Sequence, residues 1–226
     1  MTSDQPHLDF DEERLLARIG GLQFPHQIAF VASCCERAAP TCIEFAERSY
    51  TQEEAQLCRD VTALTWRGSL DPKSRLRDRS VANELWRIAR METDWNQPLS
   101  AYVPDCASVL YFAAEFQLTE SVKSACESAR WIYNALDALV LNRTGITGGG
   151  REESDRLMAD STVQRELRKQ DRDLLALEAA KHIDDSLVRR LRDESARLGR
   201  TMLEEFEAEA QTRLRRGPPP RIYPDT

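Results

Sequence analysis

Glycine is scarce in this 226-residue chain, and the alternation of Val, Ile, Thr and Tyr that marks strands is missing. Sheet architectures are thereby disfavoured. No Cys-x-x-Cys occurs, and histidine is confined to positions 7, 26 and 182. A structural zinc site wants two ligands two to four residues apart on a tight turn, so no metal is expected. Glu-x-x-His is missing too, which removes the usual helical di-metal centre. There is no Gly-x-Ser-x-Gly turn to support a serine triad. "NRTGITGGG" (142–150) matches neither Gly-x-Gly-x-x-Gly nor a P-loop and follows no strand, so it reads as a loop. No cofactor is implied.

Other absences concern the cell. No run of about 18 apolar residues exists, so no membrane-spanning helix is expected. The longest apolar stretch, "CASVLYFAAEF", is broken by Glu115. The opening "MTSDQPHLDFDEE" lacks the basic and apolar regions of a secretory signal, and a cytoplasmic location is expected. A net charge of −7 argues against nucleic acid as a partner.

What is there is helix-former chemistry: Ala, Leu, Glu and Arg dominate. Asp9 and Glu12 suggest a first helix start, with Leu15, Leu16 and Ile19 on its apolar side and Gly20-Gly21 as its stop. In "HQIAFVASCCERAAPTCIEF" (26–45), Ile28, Val31, Cys35, Ala38 and Cys42 step by three or four, the spacing of one helix face. Pro25 suits the first turn, and Pro40 is expected to break or kink the helix. His26 and Cys34 share a side but lie about 12 Å apart along the axis, too far to hold one ion. The cysteines at 34, 35, 42, 58, 106 and 126 are read mostly as small buried hydrophobes. Glu36 and Arg37 fall off the stripe. At least one of them is expected to tie this helix to a neighbour.

Thr51 with Glu54, and Ser161 with Gln164, look like capping boxes. Gly68 reads as a helix stop. The segment around Val109, Leu110, Phe112 and Ala113 is apolar all round and is expected to be the most buried helix. Glu36, Glu84, Glu92 and Glu115 are candidate buried acids, read as solvated or ion-paired. Residues 161–216 are helical throughout, as one helix or as two joined near "KHIDD" or Gly199.

The order of these motifs resembles the family typified by the bacterial protein YjaG, a helical domain of unknown function. Cys35, Glu36, Arg37, Pro40 and Phe45 fit its Cys-Glu-Arg helix with a spaced Pro and Phe. "LTW", "YVPDCASVLYFAAEF" and "MADSTVQRELRKQDRDLLALE" resemble its later segments, although Pro-Asp-Cys at 104–106 departs from its Pro-Ala pattern. The resemblance covers about residues 10–180. It implies a compact helical domain and supplies no catalytic residues. Small helical domains of this kind also occur as immunity proteins beside secreted bacterial toxins.

The expectation is therefore an all-α, compact multi-helix bundle over 1–180. A long charged C-terminal helix follows at 181–216, and a Pro-rich disordered tail at 217–226. The expected function is non-catalytic binding of another protein, with a basic toxin domain as the fitting partner. The alternative is a homo-oligomerising structural protein, such as a homodimer. The expected contact element is the C-terminal helix, the equal alternative being that it lies back on its own domain or pairs with its copy in a dimer. There Met202, Leu203 and Phe206 offer apolar anchors among Glu204, Glu205, Glu207 and Glu209.

Overall fold

A computed structural model describes residues 7–49, 51–92, 94, 97–145 and 151–216. The glycine loop at 146–150 and the tail at 217–226 lie outside the described residues, which hold nine α-helices and no strand. α1 (Glu12–Gly21) starts two residues later than Asp9 suggests: the carboxylate of Asp11 accepts the Arg14 backbone N–H at 2.9 Å. Glu12 and Glu13 then sit at the positive end of the helix dipole.

α2 (Phe24–Arg48) has Pro25 in its first turn, as expected. Pro40 does not break it. Proline brings no N–H, so the carbonyl of Glu36, four residues back, loses its helical donor. The last helix arrives at that point. A side chain at Gly199 would place its Cβ 2.8 Å from the Glu36 carbonyl oxygen and 2.9 Å from that of Arg37. The α-hydrogen in that direction therefore points at both carbonyls, a weak C–H···O contact that only glycine permits. Proline in one helix and glycine in the other solve the same local problem.

α3 (Gln52–Leu70) lacks the expected capping box. The Thr51 hydroxyl donates back to Ala46 O at 3.0 Å, and Glu54 pairs with Arg87. Gly68 lies inside this helix instead of ending it. A 3-10 turn (Pro72–Ser74) leads to α4 (Arg79–Ala89), whose first turn is capped by Asp78 through the Ser80 N–H. α5 (Val103–Thr119) and α6 (Val122–Thr144) follow, ending at left-handed Glu120 and Gly145. After α7 (Arg151–Ala159), α8 (Ser161–Ala179) is capped by Asp160, not Ser161. The freed Gln164 amide instead grips the Leu8 backbone from both sides, at 2.9 and 2.7 Å. α9 (Asp185–Arg216) is a separate helix, capped by Asp184 through the Leu187 N–H. The joint thus falls at "KHIDD".

α2, not α5, is the innermost helix. It packs against α3, α5, α6, α8 and α9, and every residue from His26 to Cys35 is buried. Its small side chains (Ala29, Ala32, Ser33, Cys34, Cys35, Ala38 and Ala39) let five neighbours approach at once. In α5, Val109, Leu110 and Ala113 are fully buried, but Phe112 is only half-buried. The charged helix expected to stand outside a 1–180 domain lies along α2 instead. Among the described residues no helix is long and apolar enough to cross a membrane.

Candidate functional site

The residues expected to meet a partner are largely used within the chain. Met202 and Phe206 are buried in the core, and the Phe206 ring stacks on Tyr102 at 4.2 Å. Glu209 is buried and accepts the Tyr102 hydroxyl. That burial, followed by the carboxylate, raises the Tyr102 pKa. Glu205 grips Arg165 through two bonds at 3.0 and 2.6 Å, and Glu207 pairs with Arg48. Leu203 is half-buried; Glu204 is exposed. The apolar stripe of α9 is satisfied by its own domain, so it leaves few anchors for another protein.

Glu36 and Arg37 both tie α2 to its neighbours. The Glu36 carboxylate, at the surface, accepts Trp66 Nε1 from α3 at 2.7 Å and faces Arg192 Nε from α9 at 3.4 Å. Arg37 points the other way and is 0% exposed. Its guanidinium meets Glu166 at 2.9 Å and Asp173 at 3.4 Å, both on α8, and donates to the Ser33 carbonyl and hydroxyl. Ser33 in turn donates to Asp173 at 2.6 Å and contacts the hydroxyl of Ser195 on α9 at 2.8 Å. Lys169, also 0% exposed, pairs with Asp173 and faces Glu194 at 3.6 Å. Two buried cations thus meet two buried carboxylates, and the cluster is neutral. Burial opposes the charge on Arg37, but Glu166 and the other neighbours outweigh it and hold its pKa above the usual value. Burial dominates at Lys169 and lowers its pKa despite Asp173. A cluster this closed to solvent joins three helices.

All six cysteines are free and buried. Burial pushes the Cys34 and Cys126 thiols up to about 12, so neither forms a thiolate readily. Cys42 hydrogen-bonds Cys58, which together with burial also raises its pKa. Among the described residues no three His, Cys, Asp or Glu side chains gather as a metal site would need. His26 places Nε2 on the Ala180 carbonyl at 3.0 Å. Gln27 beside it donates to Ile19 O and Leu22 O. Together the two side chains close the carboxyl ends of α8 and α1.

The opposite side of the molecule exposes rings. Trp86 on α4 is 40% exposed and packs on Tyr111 of α5 at 4.8 Å. Tyr111 meets Phe112 at 4.9 Å, and Phe112 stacks with Trp131 of α6 at 6.5 Å. Arg90 lies over Trp86 at 5.4 Å. Asp105 shares the Phe112 side of α5, two turns earlier, and has no hydrogen-bond or ion-pair partner among the described residues. Burial pushes its carboxyl up to about 6.

Residues 14–203 match the family described as "Protein of unknown function (DUF416)". The chain belongs to that family. A solved DUF416 family protein from Shewanella baltica OS155 shares its fold with a TM-score of 0.70. The two are 16% identical, and the match covers 80% of this chain and 93% of that one. No curated protein matches. The DUF416 match runs well into α9, in keeping with the packing of that helix on α2.

For two groups of residues in this DUF416 protein the sequence shows the pattern but not the role. In α8, Glu166, Gln170 and Asp173 interleave with the stripe of Val163, Leu167, Leu174 and Leu177, and polar residues at core positions were the available signal. In α4, Ala82, Leu85 and Ile88 make the buried stripe, and Trp86 stands outside it. A tryptophan off the stripe was the sign of a surface ring.

Proposed function

We propose that this DUF416 protein works by binding another protein and not by catalysis, as an immunity protein that neutralises a basic bacterial toxin. Its closer likeness to YjaG-type proteins belongs to the same proposal. The observation that carries the reading is the row of exposed Trp86 and half-buried Tyr111, Phe112 and Trp131 across three helices. Aromatic rings at a surface are the side chains that most often anchor protein interfaces. The net charge of −7 favours a basic partner and would speed its association. A second reading, self-association, is favoured by charges of both signs on the same face. Co-expression with the product of the neighbouring gene, and with basic bacterial toxin domains, tests the first. Wild type should protect the cell, and a folded Trp86→Glu variant should not. Protection that survives Trp86→Glu would remove this face from the binding surface, and no protection by wild type would remove the immunity reading.

A further inference from the structure

On the reading that the α4–α6 face binds protein, the charges around it indicate what covers it. Most charges around the ring row are already matched: Arg79 with Glu115, Arg87 with Glu54 and Glu84, and Glu127 with Arg130. Two are not. Arg90 has only the Trp86 ring and no carboxylate among the described residues. Asp105 has no cation among the described residues. The Arg79–Glu115 and Trp86–Tyr111 contacts show that α4 runs antiparallel to α5. Arg90 therefore lies level with the first turns of α5, which hold Asp105. The two occupy different sides of the row, since Arg90 sits just past α4 and Asp105 shares the Phe112 side of α5, toward α6.

A face with a ring row, one unmatched cation on one side and one unmatched acid on the other is complementary to itself. A two-fold axis through the row brings the cation of each copy toward the acid of the other, the reciprocity that closed symmetric dimers require. The available area sets the strength. α5 has 17 residues and is about 25 Å long, and three helices about 10 Å apart span about 20 Å. A footprint of about 500 Å² per copy is at the small end for specific interfaces, which suits a weak, reversible pair. We propose that two copies of this chain pair through the α4–α6 aromatic face, with Arg90 of each copy set against Asp105 of the other.

Sedimentation equilibrium of the full chain from about 1 to about 300 µM tests this. The mass of wild type should rise from 25.8 kDa toward twice that value, while Trp86→Glu, folded by circular dichroism, should stay at 25.8 kDa. Arg90→Asp and Asp105→Arg should each weaken pairing at least about tenfold, and the double variant should recover to within about threefold of wild type. A wild-type mass fixed at 25.8 kDa, a dimer indifferent to Trp86→Glu, or swaps that do not rescue one another would overturn the proposal. The outcomes also separate it from the function above. A monomer that protects against the toxin, and loses protection on Trp86→Glu, ends self-pairing and keeps partner binding. A dimer that protects against no toxin does the reverse.

Discussion

The side of the molecule where α2 meets α8 and α9 and the side formed by α4, α5 and α6 treat their side chains in opposite ways. On the first, Arg37, Lys169, Glu166 and Asp173 are taken out of water almost completely. On the second, Trp86 is 40% exposed and three further rings are only half-covered. Buried charges are tolerated only when each finds its partner, so a slip of α8 by one turn along α2 would strand all four. They fix how helices distant in sequence meet. Partly exposed rings join neighbouring helices only by packing and are adhesive toward another surface. One side specifies the structure, and the other is free for binding.

The sharpest way to break this contrast is to remove Arg37. Arg37→Ala leaves Glu166 buried without a cation and Asp173 with Lys169 alone, and should cost about 3–5 kcal/mol in urea denaturation. A loss below about 1 kcal/mol would mean that water replaces the guanidinium freely. The next effect comes from the Gly199 contact. Gly199→Ala drives a methyl into the Glu36 and Arg37 carbonyls and should cost about 1–3 kcal/mol, whereas Gly21→Ala, with open space around it, should change stability by less than about 0.5 kcal/mol.

Asp105 offers a smaller effect that depends on pH. Its carboxyl holds a proton more tightly folded than unfolded, so its ionisation works against the fold. The penalty is absent below about pH 4, grows between about pH 4 and 6 and is complete above. Asp105→Asn should therefore raise stability by about 1–2 kcal/mol at pH 7 and leave it nearly unchanged at pH 4. Equal gains at both pH values would point to packing instead of charge. The smallest effect on folding belongs to the other side. Trp86→Glu should shift the denaturation free energy by less than about 0.5 kcal/mol. A loss like that of Arg37→Ala would make the ring row part of the core.

How much of this was legible in the sequence follows from the distances involved. Helix periods are local, and the stripes of α2, α3, α6, α8 and α9 could all be read. The oddity of a Glu-Arg pair in an apolar helix could be read as well. Its partners could not, because Glu166 lies 129 residues from Arg37 and Arg192 comes from yet another helix. Caps at Asp11 and Asp160 were misplaced because another acid or hydroxyl nearby offered a similar acceptor. Pro40 was misjudged because local rules do not foresee a glycine arriving from α9. The stripe of α9 is equally legible but leaves a partner and its own domain open as what covers it, since periodicity shows that a face is covered and not by what; the packing on α2 decides for the domain. For the same reason Phe112 was placed in the core.

Native-state hydrogen exchange tests most directly whether α9 and the buried charges belong to the folding core. Amides over 188–206 in α9 should exchange only by global unfolding, with the same opening free energy as amides over 28–39 in α2. If α9 amides exchange through a partial opening, several kcal/mol below a still-protected α2, the helix is an appendage and the cluster does not lock it to the domain.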